Sequence, residues 1–240
     1  MLAMADRTRA GSRFAPLVRS APAALLLVMV LAASCTGEKQ PVPSPTAIVP
    51  ANIRDLMAQD KDTPKGLAQF GPPNVRTPEE MFSGQVASGR ATQEDLQRWG
   101  TVQVAFQAFG SSSPFPLDTP KKMQYTVTLH STSEGAASFF EYVRGNPTRA
   151  DIEGLESQLE REIATYEDDN ERRFGDESRY IHYTSRNPDD PYNIETYYVL
   201  FRRLNAVGVL QVVAVQDETN AGAIAQLINT LDERLRENLS

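Results

Sequence analysis

Residues 194–203 and 207–216 are apolar on both pleats of an extended chain: Tyr197, Tyr198, Val199, Leu200 and Phe201 run together in the first, and Val209, Leu210, Val212 and Val213 in the second. Side chains of a strand alternate between two faces. Strands apolar on both faces need cover above and below, so these two belong in the middle of a sheet with packed elements on each side. The junction Leu204-Asn205-Ala206 is short enough to make them a hairpin. A helix capped by Thr219 or Asn220 follows, with Ile224, Leu227, Ile228, Leu231 and Leu235 as its buried stripe.

Three further strands are readable. Residues 180–186 form one. In residues 101–108, Val102, Val104, Phe106 and Ala108 alternate with Thr101, Gln103, Ala105 and Gln107. In residues 123–130, Met123, Tyr125, Val127 and Leu129 alternate with Gln124, Thr126, Thr128 and His130. A helix start stands at Thr77-Pro78-Glu79-Glu80, where Thr caps, Pro fits the first turn and the glutamates can complete a capping box, and a second start at Thr92-Gln93-Glu94-Asp95. The second helix ends near Gly100 with Leu96 and Trp99 on one side, and Trp99 reads as a core anchor. A helix with Ala137, Phe139, Phe140 and Val143 stops at Gly145-Asn146-Pro147. Beyond it, Ile152, Leu155, Leu159, Ile163 and Tyr166 form one amphipathic helical stripe. The expected fold is α+β, an antiparallel sheet of about five strands with packed helices. The order strand, strand, helix occurs twice and suggests a duplicated ββα unit.

The N-terminal part has a different character. Arg7, Arg9, Arg13 and Arg19 precede an apolar run from Ala21 to Leu31, then Ala32, Ala33, Ser34 and Cys35, the sole cysteine. The run is too short for a bilayer, which needs about 20 residues, and has the layout of a secretory signal. At Cys35 the sequence resembles the lipobox of bacterial lipoproteins, with Ala32 where leucine is typical. The resemblance implies a diacylglyceryl group on the Cys35 thiol, cleavage before it, and attachment to the membrane on the extracytoplasmic side. The expected organisation is a signal peptide over 1–34, a lipidated cysteine and proline-rich tether over 35–50, an arm over 51–74 and a single α+β domain over 75–240.

Cleavage before Cys35 removes four arginines and one acid, leaving 20 basic and 30 acidic residues, a formal charge of −10 against −7 for the whole chain. An anionic surface of that size repels nucleic acid, so no nucleic-acid partner is expected. With the thiol lipidated no disulfide can form, and stability rests on the apolar core.

Thr77-Pro78-Glu79-Glu80, Leu96-Gln97-Arg98-Trp99-Gly100 and Gly175-Asp176-Glu177-Ser178 before a three-strand run resemble a group of uncharacterised envelope lipoproteins. These are similar to PsbP-like and LpqN-like α+β domains and to extracellular sensor domains of some bacterial kinases. The resemblance supplies no catalytic residue. Gly175 to Ser178 also reads simply as a turn leading into a strand.

No nucleophile elbow, zinc-protease helix, phosphate loop or dinucleotide fingerprint is present, so neither an enzyme nor a cofactor is expected. His130 and His182 occupy polar-side positions on strands; on neighbouring strands they could share a metal, and otherwise they are two surface histidines. Glu167-Asp168-Asp169-Asn170 lacks calcium-loop spacing and reads as a solvated helix end. The tyrosines 125, 180, 183, 197 and 198 form a wall if they line one gap. The best recognition candidate is the loop Asn187-Pro188-Asp189-Asp190-Pro191-Tyr192-Asn193, with Asp189, Asp190 and Tyr192 as its binding residues. The expected role is noncatalytic binding or sensing of an envelope protein or small ligand. A structural or assembly lipoprotein is the alternative, and an envelope hydrolase a further one.

Overall fold

The computed structural model describes residues 52–64, 66–111, 122–170, 174–216 and 221–239. The signal segment, Cys35, the proline-rich tether, Ser112 and Ser113, and the caps Thr219 and Asn220 lie outside the described residues.

The domain is α+β. Among the described residues eight strands form one antiparallel sheet: β1 (Ala68–Gln69), β2 (Asn74–Arg76), β3 (Thr101–Gly110), β4 (Lys122–His130), β5 (Glu162–Asp169), β6 (Glu177–Arg186), β7 (Asn193–Arg203) and β8 (Ala206–Val215). Their order is β1-β3-β4-β8-β7-β6-β5, with β2 also on β3. The two doubly apolar strands thus stand side by side at the centre, as their pleats require. Five helices pack on the sheet: α1 (Pro78–Ala87), α2 (Gln93–Trp99), α3 (Ser133–Arg144), α4 (Arg149–Gln158) and α5 (Ala221–Leu239).

The capping box expected at Thr77 is present, with Glu80, and the second helix start carries one too, Thr92 with Asp95. Gly100 ends α2 in the left-handed conformation at φ 53°, where glycine carries no Cβ penalty. On one face α5 buries Ile224, Leu227, Ile228, Leu231 and Leu235 against Tyr125, Val127, Val199, Phe201, Leu210 and Val212. Ile53, Leu56 and Met57 of the arm complete that core. On the other face α1, α2 and α3 bring Phe82, Trp99, Phe139 and Phe140 onto Leu200 and Val207. A third cluster joins Ile152 of α4 to Ile181 and Tyr183 of β6.

Several expectations need correcting. The sheet has eight strands where about five are readable. β1 and β2 are two and three residues long, too short to show a period. β5 hides inside the apparent helical stripe: α4 stops at Gln158, Glu160 takes φ 57°, and the chain returns extended. An irregularity between Ile163 and Thr165 puts Ile163 and Tyr166 on one face of β5, so their spacing of three mimics a helix. Leu155 and Leu159 are exposed, at 50% and 56%, and belong to no buried stripe. Residues 167–169 are strand, and the Asp168 carboxylate holds Arg179 with both oxygens, at 3.0 and 2.7 Å.

In β3 the face carrying Ala105, Gln107 and Phe109 is buried beneath α5, whereas Val102 is exposed. The two ββα units lie adjacent, β4 beside β8. Their helices nevertheless cover opposite faces of the sheet, α3 one and α5 the other. A rotation that exchanges two antiparallel neighbours keeps each face in place, so the repeated order is not a symmetric repeat of structure.

Candidate functional site

The loop between β6 and β7 is built as a fixed turn. Asn187 Oδ1 accepts from the Asp189 amide at 2.9 Å, and the Asp190 amide donates to the Asn187 carbonyl at 3.0 Å. Pro188 occupies the second position, where its fixed φ suits the turn. Where the strands resume, the Asn193 side chain donates to Gln216 at 2.7 Å.

Beneath the turn, Arg161 acts as a clamp, its side chain only 12% exposed. Its Nη1 lies 3.2 Å from Asp190 Oδ2, its Nε donates to Ser185 Oγ at 3.1 Å, and its Nη2 donates to the Ser185 carbonyl at 2.9 Å and the Tyr192 carbonyl at 3.5 Å. Glu156, buried on α4, supports the clamp at 3.7 Å from Arg161 and accepts from the Tyr183 hydroxyl at 3.1 Å. Burial, with Glu156 beside it, pushes the Tyr183 phenol up to about 12. Arg161, Asp190 and Glu156 thus form a charge network, in which Glu156 Oε2 is buried without a hydrogen bond, 3.7 Å from Arg161 Nε. Such networks fix geometry more than they add stability.

The three candidate residues consequently differ in standing. Asp190 is exposed, at 39% of its side chain, but is paired with Arg161, and Tyr192 supplies a backbone carbonyl to Arg161 with its side chain half-buried. Asp189 is exposed, between the exposed prolines 188 and 191. The site presents a carboxylate on a stiff turn, suited to a cation or a set of N–H donors. Arg161 and Glu156 carry no signal in the sequence, since the residues they hold lie up to 31 positions away.

The remaining candidates separate. His130 on β4 and His182 on β6 are divided by β8 and β7 and point to opposite faces, so they cannot share an ion. His182 stacks on Tyr197 with 4.5 Å between ring centres; its Nε2 is 2.7 Å from Glu195 and its Nδ1 3.8 Å from Glu167. His130 is not a surface residue at all, with 0% exposure. Among the described residues no group of three or more His, Cys, Asp or Glu is arranged to hold a metal. The tyrosines form no single wall: 125, 180 and 197 pack under α5, and 183 and 198 under α4.

Gly175-Asp176-Glu177-Ser178 fastens the β7–β8 hairpin. Gly175 has φ +67°, and a Cβ there would lie 2.2 Å from the Arg202 carbonyl oxygen, so no other residue fits without a shift. Asp176 accepts from the Leu204 amide at 2.7 Å and pairs with Arg203 at 3.1 Å, while the Gly175 amide donates to Asp232 of α5 at 3.1 Å. Every polar group in this motif serves the scaffold.

No protein-family model matches the chain, and no curated protein is found similar to it. Among solved structures, the extracellular domain of PknH from Mycobacterium tuberculosis aligns over 79% of this chain and 98% of its own, at 8% identity and a TM-score of 0.42. An uncharacterized protein of Mycobacterium smegmatis, the Rv0999 ortholog, aligns over 79% of this chain and 100% of its own, at 11% identity and a TM-score of 0.40. No helix among the described residues is long and apolar enough to cross a membrane.

Proposed function

We propose that the chain is a noncatalytic binding domain, tethered to the extracytoplasmic face of a membrane through lipid on Cys35, and that it recognises an envelope protein or small ligand through the β6–β7 loop. The observation that carries the recognition half is the Arg161 clamp. It pairs with Asp190 and the Tyr192 carbonyl and leaves Asp189 outward on a proline-stiffened turn. A loop ordered before it binds has little entropy left to lose on binding. The tether rests on the lipobox around Cys35. Two or more acyl chains hold a protein stably where one does not.

Asp189→Asn should leave the unfolding free energy within about 0.5 kcal/mol of the parent, as surface substitutions away from packed groups do. It should also weaken capture of the bound partner from solubilised envelopes roughly tenfold, the effect of losing a charged hydrogen bond. Asp190→Asn also breaks a partly exposed ion pair, so it costs up to about 1 kcal/mol of stability. Undiminished capture by the Asp189→Asn protein would remove the loop from the account.

A further inference from the structure

His130 ends β4 fully buried against the α1–α3 layer, its ring 4.9 Å from that of Phe139. Its Nδ1 lies 2.8 Å from the Trp99 carbonyl at the end of α2. A carbonyl only accepts, so Nδ1 carries the proton, and Nε2 is left as a bare acceptor, buried and without a partner. The junction is tied on every side. The His130 amide donates to the Asn205 carbonyl at 2.9 Å, Asn205 Nδ2 donates to the His130 carbonyl at 2.8 Å, and the Ser131 amide donates to the Gly100 carbonyl at 2.8 Å. Gly135 of α3 passes so near that a Cβ would sit 2.3 Å from the Trp99 oxygen.

Among the described residues no carboxylate pairs with the His130 ring. On α2 Asp95 and Arg98 pair with each other, on α3 Glu141 pairs with Arg144 and Glu134 is exposed, and on α1 Glu80 serves the Thr77 cap. Arg202 of β7 pairs with Glu177, and β3 offers only the Thr101 hydroxyl, 3.4 Å from Nδ1. A second proton would therefore bury a charge and an unmatched N–H among aromatic rings, a cost that the open layer escapes.

We propose that His130 is an acid-sensitive latch: protonation at Nε2 releases the α1–α3 layer from the sheet while the α5 face stays closed. The two faces have separate apolar clusters, which allows one to open alone. Burial holds the His130 imidazole down at about 4, below its ordinary 6.5. The neutral ring is thus the form that favours closure. Its stabilisation is complete above pH 6.5 and is lost as the pH falls from there toward 4, by about tenfold in the closed-to-open ratio per pH unit.

The test uses Trp99, the sole tryptophan, and amide exchange in the full chain. Between pH 7 and 5, with intrinsic exchange corrected, protection in α2 and α3 should fall about 20-fold, and Trp99 emission should shift to the red only at the lower pH where the open form becomes populated, while β8 and α5 hold. His130→Asn keeps an N–H for the Trp99 carbonyl and has no titrating ring, so its α2 and α3 should keep the same protection at both pH values. An Asn variant that opens as the parent does, or β8 and α5 opening in step with α2, overturns the latch. If the variant does not fold, the parent's imidazole resonances decide. A ring titrating together with loss of α2 protection supports the latch, and one that stays neutral while α2 opens overturns it.

Discussion

Val212→Asp abolishes folding in the expected result. Val212 lies on β8, the middle strand of the sheet, is 0% exposed, and stands between Met123 of β4 and Tyr197 of β7, both buried beneath α5. A carboxylate there has no cation to meet and no route to water. Its desolvation costs several kcal/mol in either protonation state, against a total stability of about 5–15 kcal/mol for a domain of this kind. The measurement is circular dichroism with a denaturant titration. Loss of the cooperative transition is expected, and a folded variant would show that the buried face of β8 has been misassigned.

The second large effect concerns the arm. Arg234 of α5 is buried, with 9% of its side chain exposed. It pairs at 2.5 Å with Asp62, 4% exposed, and donates to the Met57 carbonyl at 2.7 Å. Arg234→Ala leaves the Met57 carbonyl without a partner and the Asp62 carboxylate with the Gln59 amide alone, at 2.7 Å, and breaking one side of a buried pair costs about 3–5 kcal/mol. Replacing both partners removes the orphaned charge as well. The Arg234→Leu, Asp62→Leu protein should regain part of the loss, because a buried pair exchanged for apolar groups of similar size is often neutral, while the Met57 carbonyl and the Gln59 amide stay unpaired. Denaturation midpoints of the two variants check this. Little loss in either variant would mean that the arm is held by Ile53, Leu56 and Met57 alone.

What the sequence made legible follows the range of each interaction. The capped helix starts at Thr77 and Thr92 span three residues and are written locally, as is the glycine that ends α2. The central position of β7 and β8 was readable because it shows within each strand as apolar residues on both pleats. β5 was not, because one extra residue near Ile163 turned a period of two into a spacing of three. His130 looked like a polar-side residue because the strand alternation hides that α1–α3 cover that face too. In the loop, the prolines and Asn187 announced a rigid turn. That Asp190 is held in an ion pair depends on Arg161, 29 residues earlier, a pairing that no local pattern encodes.

The tether is the premise on which the rest of the functional reading stands, and intact mass of the protein extracted with detergent from its own membranes tests it most directly. A chain beginning at Cys35 and carrying a diacylglyceryl group is expected. A chain beginning elsewhere, or one with Cys35 free of lipid, would contradict it.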